Sequence, residues 1–114
     1  MNRRWPAKPK RDERLPPTKE SDFQWLVREA ARKTGWTLEH CTYDSRHSPG
    51  GFPDLVLARP RGDKRVLFIE LKSEKGKLTP QQAAWIEGLR VCGKEVYVWR
   101  PSDFDTIVAT LQRP

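Results

Sequence analysis

Cysteine is scarce in this sequence, and that scarcity argues against two classes of small protein. The chain has two cysteines, Cys41 and Cys92, in 114 residues, and they form no Cys-x-x-Cys pair. A disulfide-stapled secreted domain needs several cysteines, and a structural zinc site needs Cys and His at close spacing. Neither His40 nor His47 has a companion at that spacing. We therefore expect no zinc, and two reduced, buried thiols in a cytoplasmic protein.

Long apolar runs are also absent. No stretch approaches the roughly 18 consecutive apolar residues that a membrane-spanning helix needs, and no apolar segment follows the basic N-terminal residues. We expect neither a membrane span nor a signal peptide. A chain of 114 residues that is 36% hydrophobic can bury one modest core, so the sequence predicts one folded domain.

Acidic residues are outnumbered by basic ones. The chain carries 22 Lys and Arg against 15 Asp and Glu, a net charge of +7, which favours a polyanionic partner such as nucleic acid. Residues 1–17 hold six of the basic residues, two acidic residues and four prolines. This composition predicts an unpacked basic arm, which either lies on phosphates or serves as a solubilising leader. Residues 18–114 would then form the domain.

Apolar residues at helical spacing predict three helices in residues 18–114. These helices cover about 18–33, 80–92 and 103–112. The predicted N-caps are Thr18, Thr79 and Ser102. For the second and third helices, Gln82 and Asp105 would complete capping boxes.

Runs of β-branched and aromatic residues predict four strands, at 36–43, 54–59, 65–73 and 95–99. The second and third strands are joined by "PRGDK", which predicts an antiparallel hairpin. The unit of strand, helix and strand that follows predicts a right-handed crossover with parallel strands. The element order αβββαβα therefore predicts an α/β fold with a small mixed four-stranded sheet flanked by helices.

The predicted hairpin brings charged residues together. If Arg59 pairs with Arg65, Asp54 lies opposite Glu70, and the Cβ atoms of opposed residues are about 4.5–5.5 Å apart. Lys72 lies two residues after Glu70 and so points to the same face. A slip of one residue in the register would separate these groups. The register therefore predicts two carboxylates and an ammonium group at one place.

Two close carboxylates repel each other unless a cation lies between them. Mg²⁺ prefers oxygen ligands, can polarise a phosphoryl oxygen and lowers the pKa of a bound water. Lys72 could orient or deprotonate that water, or neutralise charge on the phosphate, and Gln82 lies where free helix N–H groups favour an anion. The competing interpretation is a solvated strand face. Apolar neighbours around Glu70 oppose it, because they place this acid beside a core.

Three segments of the chain, "GFPDLVL", "FIELKSEKGKLTPQQ" and "VYVWRPSD", resemble the PD-(D/E)xK nuclease superfamily. Within it they are most similar to the VRR-NUC (virus-type replication-repair nuclease) family, over about residues 20–111. The resemblance implies a restriction-endonuclease-like fold and a DNA endonuclease that depends on Mg²⁺, with Mn²⁺ as a substitute. It also implies a homodimer that acts on branched DNA such as Holliday junctions. A phage origin, and hence the host-cell cytoplasm, would suit it.

The resemblance also implies roles for individual residues. The metal ligands fall on Glu20, Asp54 and Glu70, and the catalytic group falls on Asp54, Glu70, Lys72 and Gln82. Glu29 is the rival of Glu20, because it lies on the same predicted helix. It is nine residues further along, on nearly the opposite face, so the two cannot both serve. The loop before Gly51 is shorter than in many relatives, which leaves Arg46 and His47 without an assigned role.

Two alternatives stay open at the level of sequence. A non-catalytic DNA-binding module could share the fold, although acids beside phosphates would not help a pure binder. A small-molecule phosphodiesterase could share the chemistry, although it would not need a net charge of +7. The basic residues Lys75 and Lys77 either position phosphates or are simply solvated, and the same alternatives hold for Arg100.

Overall fold

The computed structural model describes residues 20–42 and 50–114, apart from the side chains of Glu20 and Ser21. The arm at residues 1–17, the predicted cap Thr18, and the loop residues Arg46 and His47 lie outside this part of the chain. The helices and strands follow the predicted order. They are α1 (Glu20–Lys33), β1 (Leu38–Cys41), β2 (Leu55–Arg59), β3 (Arg65–Leu71), α2 (Pro80–Val91), β4 (Glu95–Trp99) and α3 (Phe104–Gln112).

The four strands form one mixed sheet in the order β1-β2-β3-β4. β2 pairs antiparallel with both β1 and β3, whereas β3 and β4 are parallel and joined through α2. The hairpin has the predicted register, with Arg59 opposite Arg65 and Leu55 opposite Ile69. The predicted fold class and the predicted pairing of the hairpin are both confirmed.

The hydrophobic core lies between one face of the sheet and the helices α1 and α3. Alternate residues of β2 and β3 point to this face, where they are almost completely buried, as the period of two requires. The sheet contributes Leu55, Leu57, Leu67, Ile69, Leu71 and Trp99, and the helices contribute Phe23, Val27, Ala31, Ile107 and Leu111. α2 lies on the opposite face, where Gln82 reaches Glu70. That face carries the candidate site.

The first and third strands are shorter than predicted. β1 spans only Leu38–Cys41, whereas the prediction began at Trp36. Trp36 is instead a buried residue whose indole N–H donates to the carbonyl of Leu111, 3.0 Å away, and this contact takes it out of the sheet. β3 ends at Leu71 rather than at residue 73.

The predicted cap of the third helix is wrong, whereas that of the second is confirmed. Residues Pro101–Asp103 form a single 3₁₀ turn, and the Asp103 carboxylate accepts a hydrogen bond from the Arg100 N–H at 2.9 Å. Because this carboxylate closes the turn first, Ser102 does not cap α3, which begins at Phe104. In α2, Thr79 and Gln82 make the predicted capping box, and Gly93, with a φ of 79°, follows the helix end.

The expectation of two buried thiols is also wrong. Neither cysteine forms a disulfide, but Cys41 is only half-buried and Cys92 is exposed. Cys92 is the C-cap of α2, at an end of the helix that faces solvent. In the described part of the chain, no helix is both long enough and apolar enough to cross a membrane.

Candidate active site

Asp54 lies directly before β2, and three hydrogen bonds fix Asp54 and the residue before it. Its Oδ2 accepts a hydrogen bond from the Leu71 N–H at 3.0 Å, so the end of β3 orients the carboxylate. Its carbonyl accepts from the Thr42 N–H at 2.8 Å, and the Thr42 hydroxyl donates to the carbonyl of Pro53 at 2.6 Å. Thr42 therefore holds the backbone on either side of the predicted site carboxylate. The sequence contains no motif that identifies this role.

Glu70 lies in β3 with only 2% of its surface exposed. Its Oε2 accepts a hydrogen bond from the Gln82 amide nitrogen Nε2 at 3.0 Å. The Gln82 Oε1 accepts from the Thr79 N–H at 2.9 Å, and because a backbone N–H can only donate, the amide must present its NH₂ group to Glu70. The helix cap thus orients a donor toward the buried carboxylate.

Gly51 allows the loop before Asp54 to lie against the first turn of α2. Its φ is 86°, in the region that favours glycine. A Cβ atom at this position would lie 2.5 Å from the backbone carbon of Gln81, a distance that the helix could not accommodate without moving. This close approach brings the loop of Asp54 to the helix turn that carries Gln82.

Burial disfavours the charged form of Asp54. Burial raises the pKa of Asp54, and the Leu71 N–H, a hydrogen bond with Glu70 and the charge of Lys72 only partly oppose that effect. Lys72 directly follows β3, and its N–H donates to the Trp99 carbonyl at 2.9 Å. Its ammonium has no ion-pair partner within residues 20–42 and 50–114. The site therefore combines an acidic pair with a nearby cation that is available to a substrate.

Three aromatic residues form an apolar wall beside the charged groups. Phe52 packs edge-on against Phe68 and Trp85, with ring centroids 6.5 and 4.9 Å apart. Phe52 and Phe68 each lie two residues before a site carboxylate, Phe52 in the loop before β2 and Phe68 in β3. The aromatic cluster therefore lies beside the acids along the chain.

Glu20 and Glu29 are the two candidates for a metal-binding carboxylate on α1, and the structure describes the side chain of Glu29 alone. Glu29 pairs with Arg32 and Lys33 at 3.3 and 3.6 Å, so its carboxylate is engaged with the last turn of α1. This arrangement does not favour Glu29 as a metal ligand. Glu20 is the first residue of α1, but its side chain lies outside the described part of the structure. The role of Glu20 stays a prediction.

The donor set fits a magnesium ion. Asp54 and Glu70 supply hard oxygen atoms, and Mg²⁺ commonly takes one or two carboxylates together with water and substrate phosphate. Within the described residues, no cluster of three His, Cys, Asp or Glu side chains could hold a metal. This pair accordingly suits a metal that keeps open positions, and not a closed structural site.

The fold and this site define a class of protein. A mixed sheet with an acidic pair and a lysine at the ends of two neighbouring strands is the arrangement of a restriction-endonuclease-like nuclease domain. The family model of the VRR-NUC domain matches residues 8–103. The chain therefore belongs to the VRR-NUC family, as the sequence resemblance predicted.

Two curated proteins are similar to part of this chain. The chain is 38% identical over 55 residues to Fanconi-associated nuclease 1 of Danio rerio, and the match covers 48% of this chain and 6% of that protein. It is 37% identical over 68 residues to the Fanconi-associated nuclease 1 homolog of Oryza sativa subsp. japonica, and this match covers 57% of this chain and 7% of that protein. It thus spans only a small part of either relative.

Two solved structures have the same fold. One, a VRR_NUC domain, has a TM-score of 0.65 and 29% identity, and the match covers 82% of this chain and 97% of that one. The other, a VRR_NUC domain protein, has a TM-score of 0.63 over 86% of this chain and 88% of that one. The second is 23% identical and therefore shows the fold alone.

Proposed function

We propose that this chain is a metal-dependent endonuclease that hydrolyses the phosphodiester bonds of DNA. The observation that carries the proposal is that the side chains of Asp54 and Glu70 interact on one face of the hairpin, where the charge of Lys72 also acts on Asp54. An acidic pair of this kind is unfavourable in an apo protein, and a divalent cation would relieve its repulsion. The curated relatives are nucleases by name, and the net charge of +7 suits a polyanionic substrate.

Each residue of the site has a chemical role in this proposal. Mg²⁺ bound by Asp54 and Glu70, and by Glu20 if its side chain reaches them, would polarise the phosphoryl oxygen and acidify a bound water. The Leu71 N–H and the Gln82 amide hold the two carboxylates in fixed orientations, which a metal site requires. Lys72 supplies positive charge where negative charge develops on the phosphate during attack.

A non-catalytic DNA-binding module is the competing proposal. Such a module would place two carboxylates on a surface that meets phosphates, which weakens binding unless a cation accompanies them. Burial of the Glu70 carboxylate is also costly, and a protein that only binds DNA would gain nothing from it. These features favour the enzyme.

Cleavage of a labelled four-way junction beside a linear duplex of matched sequence tests the proposal. The wild-type protein should cut in Mg²⁺ or Mn²⁺ and not in EDTA, and Lys72→Ala should remove most of the activity. A strong preference for the junction would support branched DNA as the substrate and a homodimer as the acting form, because symmetric cutting needs two copies. Tight binding without cutting in either metal would instead support the DNA-binding module.

A further inference from the structure

The loop of residues 73–78 joins β3 to α2 and follows Lys72 directly. Arg100, at the end of β4, is tied to this loop. Its Nη1 atom lies 2.6 Å from the carbonyl oxygen atoms of both Ser73 and Gly76. Two good hydrogen bonds from one nitrogen use both of its hydrogen atoms. Arg100 therefore holds the backbone of the loop.

A second contact from the same part of the chain also holds the loop. The Glu74 carboxylate accepts a hydrogen bond from the Ser102 N–H, in the 3₁₀ turn after Arg100. Within the loop, the Gly76 N–H donates to the carbonyl of Ser73 at 3.2 Å, which closes a turn. Side chain and backbone bonds thus order a segment that has no regular secondary structure.

The ordered loop presents two lysines to solvent. Lys75 and Lys77 flank Gly76, and both are exposed. Neither has an ion-pair partner among the described residues, and the one acid of the loop, Glu74, is already engaged by a backbone N–H. Lys72, at the start of the loop, adds a third positive charge toward the candidate site.

We propose that the 73–78 loop is a preordered phosphate-binding loop. Lys75 and Lys77 bind backbone phosphates that flank the scissile one, and Arg100 is a positioning residue that acts through them. Ordering the loop before binding removes part of the entropy cost that a flexible lysine segment would otherwise incur. We assign the phosphodiester backbone as the ligand, because an ammonium group on a flexible stem acts as a point charge that suits phosphate. The location beside the scissile bond rests on the proposed function, whereas binding does not.

Binding of a fluorescein-labelled duplex in EDTA, over a series of salt concentrations, tests the lysines. The slope of log K against log salt is negative, and each lost phosphate contact should reduce its magnitude by about 0.9. Lys75→Ala/Lys77→Ala should therefore reduce the magnitude of that slope by about 1.8 and weaken binding at low salt. Lys94→Ala is the matched control, because this exposed lysine precedes β4 at the opposite end of the sheet, and it should leave the slope unchanged. Equal slopes for wild type and the double variant would overturn the proposal.

A double-mutant cycle tests Arg100. Arg100→Gln should weaken binding in the wild-type background and change it less than about twofold in the Lys75→Ala/Lys77→Ala background, because it acts through the lysines. Multiplicative losses would mean that Arg100 contacts phosphate itself. Arg100→Lys, which keeps the charge but loses the planar fork, should bind nearly as weakly as Arg100→Gln. Wild-type binding by Arg100→Lys would overturn the positioning role.

The outcomes separate this proposal from the proposed function. If the lysine variant reduces the magnitude of the salt slope but no protein cuts DNA in any metal, the loop proposal stands and the proposed nuclease activity fails. If the protein cuts DNA and the loop variants bind like wild type, the nuclease stands and the loop proposal fails. In a cutting enzyme, Arg100→Gln should raise KM and leave kcat within about twofold of wild type.

Discussion

Asp54 shows, at the scale of a single residue, how this site departs from what stability alone would select. Its carboxylate is partly buried, lies against Glu70, and has its pKa raised by that burial. The Leu71 N–H that orients it would serve an amide oxygen equally well. The acid is therefore retained at a cost in stability, which is the usual sign of a residue kept for function.

Asp54→Asn should accordingly stabilise the metal-free protein. The substitution removes a group whose charged form is disfavoured by burial and keeps the bond from Leu71, so we expect a gain of about 0.5–2 kcal/mol in the free energy of unfolding. Urea denaturation in EDTA measures it. Added Mg²⁺ should raise the melting temperature of the wild-type protein and should not raise that of this variant. A large loss of stability in EDTA would show that Asp54 is a structural residue.

Gln82 carries two roles at the scale of one element, the helix α2. It completes the capping box with Thr79, and it donates to Glu70 through its amide nitrogen. The first role concerns the stability of the helix, and the second concerns the candidate site. A pair of variants can separate the two roles, because the Thr79 hydroxyl takes part only in the cap, and Thr79→Val keeps the backbone N–H that orients Gln82.

Thr79→Val and Gln82→Ala should destabilise the protein by similar amounts, each about 1 kcal/mol, because each disrupts the cap. Only Gln82→Ala should slow cleavage, by about tenfold or more, because it also removes the donor that orients Glu70. Single-turnover cleavage and urea denaturation are the two measurements. If both variants slow cleavage equally, Gln82 acts on the site only through the stability of the helix.

A second element, the C-terminal end of α3, is held by charged residues of the sheet. Arg59 donates to the carbonyl of Leu111 at 3.1 Å, and Arg65 donates to the carbonyl of Arg113 at the same distance. Glu95 accepts from Arg65, from the Tyr97 hydroxyl at 2.6 Å and from Arg113 at 3.1 Å. This network connects β3 and β4 to the end of the helix.

The network predicts a pH dependence of stability. Burial acts to raise the pKa of Glu95, but hydrogen bonds from Arg65 and Tyr97 and the charges of Arg65 and Arg113 outweigh it, so the pKa lies below its usual range. A lowered carboxylate pKa stabilises the fold above the unfolded-state value of about 4.3, and this contribution is lost as pH falls through the folded-state value.

Glu95→Gln isolates this contribution. The variant should be less stable than wild type by up to about 1 kcal/mol at pH 7, and the difference should shrink as the pH falls below about 4. Denaturation by urea at a series of pH values measures it. Glu87→Gln is the control, because Glu87 is exposed and has no ion pair in the described residues. A difference that stays constant with pH would contradict the account.

At the scale of the whole molecule, the fold and the acidic pair were predictable because both follow from local rules. The length of the hairpin loop and the alternation of apolar residues set the register, and the register placed Asp54 opposite Glu70. Thr42 and Arg100 were not predictable, since their partners are backbone carbonyls of distant segments, which leave no pattern in the sequence. The cap of α3 was missed because Asp103 and Ser102 compete for the same turn.

The proposed dimer, the branched substrate and the cytoplasmic location stay predictions at this scale, since they concern partners and not the fold of one chain. The central claim concerns the chain itself. Two acids can be compared to test it, because Asp54 lies at the site, whereas Glu29 is paired with Arg32 and Lys33 on α1.

Single-turnover cleavage of DNA in Mg²⁺ by wild type, Asp54→Asn and Glu29→Gln tests this claim most directly. Loss of an outer partner of a metal ligand commonly costs about 10–100-fold, so loss of the ligand itself should slow Asp54→Asn by more than about 100-fold. Glu29→Gln should cut within about twofold of wild type. Cleavage by Asp54→Asn at the wild-type rate would contradict the assignment of the site.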